Sequence, residues 1–181
     1  MHVGQMAMTD ARFRDGPVWS VPANGRSSWG NRFFIDTEFT DFEAPQLISL
    51  AIVGENGSEF YGECKDYDPA HCSDFVRAVV LPQLGRFEGR GMPCDQLSQV
   101  LRAWIVGIPA TSKPVLCFDL QTDLDLLRLL LDGPLPDGWT LEDIRGQIDA
   151  RRQAEYFARH GGEHHALHDA RANAYAYVGR A

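Results

Sequence analysis

The sequence has no apolar run long enough to cross a membrane. One of its longest apolar stretches, residues 124–131, is interrupted by Asp125 and Arg128, whereas a membrane-spanning helix needs about 20 predominantly apolar residues. The first residues also lack a basic segment followed by an apolar core, so we expect no secretory signal peptide. Association with a membrane is therefore not expected.

The sequence is also poor in basic residues. It has 17 Lys and Arg against 25 Asp and Glu, and a formal net charge of −8. This balance argues against a protein that coats nucleic acid non-specifically, because such binding depends on neutralising phosphates with Lys and Arg. It does not exclude an enzyme that acts on nucleic acid, since carboxylates that bind cations contribute to the negative count.

The four cysteines form no C-x-x-C pair. They are spread through the sequence as Cys64, Cys72, Cys94 and Cys117. This spacing gives no indication of a zinc or redox motif, and it predicts reduced thiols in a cytoplasmic protein.

The length of 181 residues fits one ordinary domain with a sizeable core. The 44% hydrophobic and 23% charged residues are typical of a globular protein. Residues 1–31 contain Gly, Pro, Ser and Asn without a sustained period, which indicates an irregular tail or extension. The sequence therefore predicts one folded domain over residues 32–181.

The first part of this domain has the pattern of strands. RFFIDTEF, QLISLAIVG and SEFYGECK are β-prone runs joined by short links, and ENG between the second and third is a hairpin signal. The pattern then changes to helical spacing over residues 68–84 and 94–107. A fourth strand, KPVLCFD, and a short strand at 139–141 alternate with helices predicted at 122–131, 141–160 and 165–179. The order predicts an α/β fold, with a mixed five-stranded sheet whose first three strands are antiparallel, flanked by helices.

Two carboxylates follow the apolar start of the first predicted strand. Asp36 and Glu38 are two residues apart, so both side chains point to the same face of the strand. Two neighbouring carboxylates at the end of a core strand repel each other and lose hydration, and a divalent cation is the usual compensation. The alternative is that the strand emerges into solvent here and both groups are hydrated.

A second acidic segment follows the fourth predicted strand. Asp119, Asp123 and Asp125 lie around the start of a helix. Aspartate and threonine side chains at such a position, including Thr122, can instead cap the free backbone N–H groups of the helix. Capping accounts more readily for one acid than for three.

The third segment combines a histidine with an acid. A stripe of small residues at Ala166, Ala170 and Ala174 predicts a helix that approaches another element closely, and Asp169 lies beside this stripe. His164 is five residues before Asp169 and follows the flexible pair Gly161 and Gly162. We therefore place His164 in the turn before the helix, where it can lean over a site that Asp169 helps to build.

The histidines of this region allow another interpretation. His160, His164 and His168 have the i, i+4, i+8 spacing of a helical zinc site. The intervening glycines oppose a continuous helix, and the acids elsewhere favour a harder cation. A further alternative is that they are ordinary surface histidines.

Taken together, the three segments resemble the DEDDh 3′–5′ exonucleases, a group that includes ribonuclease T, oligoribonuclease and the proofreading subunits of bacterial DNA polymerases. The D-x-E motif of this family corresponds to Asp36-Thr37-Glu38. The second-motif aspartate, which opens a helix after the fourth strand, is best matched by Asp123, and the H-x4-D motif by His164 and Asp169. The resemblance covers residues 32–178.

This resemblance implies a ribonuclease H-like fold and hydrolysis of phosphodiester bonds at the 3′ end of single-stranded RNA or DNA. It implies two Mg²⁺ or Mn²⁺ ions held by the four acids, with Asp36 bridging both ions and His164 as general base. Thr37, Phe39 and Thr40 are the expected substrate-binding residues. A catalytically inactive nucleic-acid-binding or scaffold protein of the same fold, and a hydrolase of another phosphodiester or nucleotide, remain alternatives. Whether the protein forms a homodimer is left open.

Two positions depart from the family pattern. Asp119 stands where many members have Asn, which leaves Asp119 and Asp125 open as ligands in place of Asp123. Thr40-Asp41 stands where many members have Thr-Gly after the first motif, in a region that often touches the terminal nucleotide in the family.

Overall fold

The computed structural model of the chain describes residues 31–109 and 113–179. Apart from Asn31, the predicted tail over residues 1–31 lies outside the described residues.

The described residues form one mixed sheet of six strands in the order β4-β3-β2-β1-β5-β6. The strands β1 to β3 pair in antiparallel fashion, whereas the pairs β1–β5, β5–β6 and β3–β4 are parallel. Their bounds are β1 Arg32–Phe39, β2 Leu47–Gly54, β3 Glu59–Cys64, β4 Gly91–Met92, β5 Val115–Phe118 and β6 Thr140–Asp143. The predicted α/β class and the three antiparallel strands are confirmed. The predicted count of five strands omitted β4, whose two residues are too few to show a period.

Helices cover both faces of the sheet. Their bounds are α1 Cys94–Val106, α2 Gln121–Leu130, α3 Ala150–His160 and α4 Ala166–Ala176. Every residue of β2 is buried, as its apolar sequence predicts for a strand covered on both sides. The core on one face contains side chains of α1 and α2, and the core on the other face contains side chains of α4. Within the described residues, no helix is both long and apolar enough to span a membrane.

The helix predicted over residues 68–84 is irregular. It consists of a 3₁₀ turn at Pro69–His71, a π-helical turn at Val76–Val80 and a second 3₁₀ turn at Leu81–Gln83. Pro82 has no backbone N–H, so it cannot donate the hydrogen bond that would continue a regular helix. Val76 and Val80 are nevertheless buried against β2, at Ile48.

The helix predicted over residues 141–160 begins later than expected. Residues Thr140–Asp143 form β6, and α3 starts only at Ala150. Gly146 has a φ of 77°, which interrupts any helix there. Asp149 then caps α3, because its side chain accepts hydrogen bonds from the backbone N–H groups of Arg151 and Arg152.

Two of the four cysteines are paired, so the expectation of four reduced thiols was wrong. A disulfide joins Cys64 to Cys94, with a Cα–Cα distance of 5.0 Å. Cys64 ends β3 opposite Met92 of β4, and this pairing brings Cys94, two residues further on, beside it. Cys72 and Cys117 are free and buried.

Candidate metal and catalytic site

The site lies where β1 extends past its parallel neighbour. β5 pairs with β1 only along Arg32, Phe33 and Phe34. Asp36 and Glu38 follow these residues on β1. They share one face of the strand because side chains alternate along it. Both side chains are only half-buried. They lie on the face that α4 covers, because Phe34 packs in the same core as Ala170.

The second acidic segment meets β1 at this point. β5 ends at Phe118, and the chain turns through Asp119 and Leu120 into α2. Leu120 is the N-cap of α2 and no side chain caps this helix end, so Asp119 does not serve as the cap. Asp123 lies in the first turn and is buried, and one of its oxygens accepts hydrogen bonds from the backbone N–H (3.1 Å) and the hydroxyl (2.6 Å) of Thr37.

Two groups of carboxylates share one member. Asp36, Asp119 and Asp123 form one group, and Asp36, Glu38 and Asp169 form the other; in each, one oxygen from every residue lies within 4.8 Å of the others. The four predicted acids are therefore brought together, with Asp119 added to them.

Asp125 belongs to neither group. It is exposed, accepts a hydrogen bond from the side chain of Gln121, and has Arg128 at 3.8 Å.

Close packing of α4 brings Asp169 to the acids of β1. Ala166, Ala170 and Ala174 are buried in the core of this face, as the small-residue stripe predicts. The oxygen Oδ2 of Asp169 accepts a hydrogen bond from the backbone N–H of His164 at 3.0 Å. The other oxygen, Oδ1, is buried and has no hydrogen-bond partner.

His164 lies in the turn before α4, where the sequence placed it. Its φ of 64° is in the left-handed region. Its ring meets the ring of Phe75 edge-on, with centroids 4.9 Å apart. His165, by contrast, is buried and is the N-cap of α4, because its Nδ1 accepts a hydrogen bond from the N–H of Leu167.

The zinc interpretation finds no support in this geometry. Among the described residues, none of the groups in which three or more ligand atoms of His, Cys, Asp or Glu lie close together contains a histidine. His160 lies against Tyr156, with ring centroids 4.7 Å apart, whereas His168 contacts His165.

Burial and mutual repulsion raise the pKa of every acid in the two groups. Desolvation, together with repulsion from Asp169 and Asp123, raises the pKa of Glu38 to about 8. Desolvation likewise raises the pKa of Asp123 and of Asp169 to about 7, although the hydrogen bonds from Thr37 and from the His164 N–H oppose the rise. Desolvation is also the main cause of the raised pKa values of Asp36 and Asp119.

The three predicted substrate-binding residues occupy different environments. Thr37 is buried and bonded to Asp123, and Thr40 is fully buried, with its hydroxyl accepting a hydrogen bond from the N–H of Gln46. Phe39 is partly buried and meets the ring of Phe42 edge-on, with centroids 5.0 Å apart. Their roles toward substrate remain predictions.

Sequence reasoning missed two residues beside the site. The Phe42 side chain is 74% exposed and presents an aromatic face to solvent next to Phe39. Asn173 donates a long hydrogen bond of 3.4 Å to Asp119, and it lies four residues after Asp169 on α4. The i, i+4 spacing from Asp169, which puts both residues on one face of a helix, could have revealed Asn173 in the sequence.

The donor set fits a hard divalent cation. Every ligand candidate in the two groups is a carboxylate oxygen, and oxygen ligands suit Mg²⁺ and Mn²⁺. The Oδ1 of Asp169 is buried without a hydrogen-bond partner, and burial raises the pKa of this carboxyl because it disfavours the charged form. A bound cation would supply that compensation.

Comparison with solved structures agrees with this architecture. Exonuclease I from Methylocaldum szegediense superposes on 78% of this chain and 38% of its own, with a TM-score of 0.51 and 15% sequence identity. The fold is ribonuclease H-like. Another exonuclease I structure covers 81% of this chain and 39% of its own, with a TM-score of 0.49 and 16% identity.

Comparison with characterised sequences gives a shorter match. A 3′–5′ exoribonuclease of Mycobacterium tuberculosis, from strains CDC 1551 / Oshkosh and ATCC 25618 / H37Rv, is 43% identical over 54 residues. The match covers 29% of this chain and 32% of that protein, so it spans about a third of the relative's length. No protein-family model matches the chain.

Proposed function

We propose that this chain is a divalent-metal-dependent 3′–5′ exonuclease that removes nucleotides from the 3′ end of single-stranded nucleic acid. The observation that carries the proposal is that Asp36 belongs to both carboxylate groups. A carboxylate common to two candidate cation sites suits a two-metal phosphodiester hydrolase, since both ions must act on one phosphate.

The residues divide into two ligand sets. Asp36, Glu38 and Asp169 would hold one ion, and Asp36 with Asp123 would hold the other, with Asp119 near enough to contribute. When bound, such ions lower the pKa of a water and offset negative charge on the attacking and leaving oxygens of the phosphate. Thr37 keeps Asp123 in place through its two hydrogen bonds.

His164 is the proposed general base. It lies in the turn whose backbone N–H donates a hydrogen bond to Asp169, so the residue is next to one ligand set. Histidine changes its protonation state near neutral pH, which suits it to take the proton of the attacking water. A positioned general base contributes roughly 10²–10⁴-fold to a rate.

Aromatic side chains at the end of β1 offer a surface for the terminal base. Phe39 packs partly into the core, whereas Phe42 is 74% exposed. Stacking of a base on an aromatic ring tolerates any sequence, because every base has a π face. RNA is the first substrate to test, since the M. tuberculosis relative is named as an exoribonuclease.

The test is a digestion of matched 5′-labelled RNA and DNA oligonucleotides with Mg²⁺, with Mn²⁺ and with chelator. We expect a ladder of products shortened from the 3′ end, formed only with metal. Asp36→Asn should abolish it, and Asp125→Asn, which changes an exposed acid outside both groups, should not. Equal activity in chelator or a single internal cut would rule out the mechanism. Binding without cleavage would favour the scaffold alternative, and turnover of nucleotides alone would favour a different hydrolase.

A further inference from the structure

The backbone around His164 adopts a conformation that ordinary side chains avoid. Gly161, Gly162 and His164 have φ values of 64°, 80° and 64°. Glycine adopts such values freely, but in a residue with a Cβ they bring the Cβ too close to the following carbonyl oxygen. Contacts with the rest of the fold must therefore hold His164 in place.

Gln83 provides two of these contacts. Its amide nitrogen Nε2 donates one hydrogen bond to the carbonyl of Glu163 at 2.8 Å and another to the carbonyl of His164 at 3.0 Å. A glutamine amide has two hydrogens, so both donors serve this turn. Asp169 accepts from the N–H of His164 on the other side. Both backbone polar groups of His164 are thus engaged.

The same segment also contacts the imidazole ring. Phe75 meets the ring of His164 edge-on, with 4.9 Å between centroids at 90°. Phe75 and Gln83 flank the π-helical turn Val76–Val80, and Val76 and Val80 anchor that turn against Ile48 of β2. The irregular helical segment therefore contacts His164 twice: Phe75 contacts the imidazole ring, and Gln83 binds the backbone carbonyl.

We propose that Gln83 is a positioning residue that holds His164 in its turn beside Asp169. This inference rests on the proposed function, in which His164 is the general base. Gln83 donates to main-chain carbonyls, so it acts through His164. Its hydrogen bonds maintain the left-handed turn and with it the direction of the imidazole.

The matched test replaces Gln83 by methionine, which has a similar length but no donor. Because a small misplacement of a catalytic group can cost about 10²-fold, we expect Gln83→Met to lower kcat by roughly 10- to 100-fold, with KM and the Mg²⁺ requirement nearly unchanged. Gln83→Glu, an isostere that only accepts hydrogen bonds when ionised, should act in the same direction. Gln99→Ala, an exposed site on α1, is the control and should leave kcat as in the parent.

A double-mutant cycle tests whether the effect passes through His164. In the His164→Asn background, Gln83→Met should cause no further loss, because the group that it positions is gone. A loss by the same factor in both backgrounds, or wild-type kcat in both Gln83 variants, would overturn the proposal.

A measurement that needs no activity separates this proposal from the proposed function. The ring signals of His164 in the metal-free protein are followed by ¹H–¹³C NMR. They should move in Gln83→Met and stay in Gln99→Ala; unchanged signals in Gln83→Met would overturn the positioning role. If the parent protein shows no metal-dependent hydrolysis, the proposed function fails, and the NMR comparison still decides whether Gln83 holds His164.

Discussion

Thr37 donates two hydrogen bonds to a single oxygen of Asp123, one from its backbone N–H and one from its hydroxyl. These bonds join β1 to the first turn of α2 across 86 residues of sequence. Thr37 stands between Asp36 and Glu38 in the D-x-E segment, so the residue that separates two acids of the site holds a third in position.

Removing the Thr37 hydroxyl should weaken metal binding. Thr37→Val keeps the branched shape and loses one of the two bonds to Asp123, whereas Thr37→Ser keeps the hydroxyl. Loss of a residue that orients a metal ligand typically costs 10–100-fold in metal affinity or activity. We expect the Mg²⁺ concentration for half-maximal activity to rise by about that factor in Thr37→Val and little in Thr37→Ser. Calorimetric titration with Mn²⁺ provides a check without substrate; equal affinities in both variants would contradict this role.

The three aspartates of the second segment should differ in their effects. Asp123→Asn should cause the largest loss of activity, because Asp123 is buried in the site and oriented by Thr37. Asp119→Asn should cause a smaller loss, since Asp119 also lies beside Asp36. Asp125→Asn should stay near wild type, because an exposed ion pair contributes only about 0–1 kcal/mol. Rates at saturating Mg²⁺ measure all three. An inactive Asp119→Asn beside a nearly intact Asp123→Asn would assign the ligand to Asp119.

Replacing His164 should slow the chemical step and leave the ions bound. His164→Asn is the suitable change, because Asn tolerates the left-handed backbone better than most residues. We expect a loss of roughly 10²–10⁴-fold in kcat, with unchanged Mn²⁺ affinity in calorimetry. His168→Ala should be milder. His165→Ala should lower thermal stability more than kcat, since His165 is buried and caps α4. Metal loss common to His160, His164 and His168 variants would restore the zinc interpretation.

The stability of the metal-free protein should fall between about pH 6.5 and 8. The pKa values of Glu38, Asp123 and Asp169 are raised, to about 8, 7 and 7, and that of Asp36 is raised too. Above the unfolded-state values the folded protein then binds more protons than the unfolded chain, so the free energy of unfolding decreases as pH rises. The lowered pKa of His165, about 4, acts in the opposite sense, but only below the ordinary value of 6.5.

Melting temperatures in chelator and in Mg²⁺ measure this effect across the same pH range. The stabilisation by Mg²⁺ should grow with pH, because the ion offsets the repulsion that ionisation creates. Asp36→Asn removes the carboxylate common to both groups and should flatten the slope in chelator. A melting temperature that is constant or rises from pH 6.5 to 8 in chelator would contradict the burial of these charges.

The sequence predicted those parts of the site that depend on local periodicity. Alternation along a strand placed Asp36 and Glu38 on one face, and the alanine stripe brought Asp169 against the sheet. The glycine pair located His164 before α4. Each of these inferences used only the periodicity of a single strand or helix and the residue types within or beside it.

The missed features depend on contacts between distant segments. The pairing of β3 with β4 brings Cys94 to Cys64, and two residues of strand carry no periodic signal. The π-helical turn at Val76–Val80 keeps the apolar spacing of a helix, so its altered hydrogen bonding was not visible in the sequence. The contact of Gln83 with His164 spans 81 residues, and no local pattern reports it.

The two carboxylate groups draw on segments from Asp36 to Asp169, and α4 follows every other described helix and strand in the chain. During synthesis on a ribosome, β1 emerges before α4, so Asp36 and Glu38 at first lack Asp169. Domains form cooperatively once their sequence is available. Under the proposed function, a nascent chain would therefore lack a complete ion site until α4 has been made, and hydrolysis would begin only after the domain has folded.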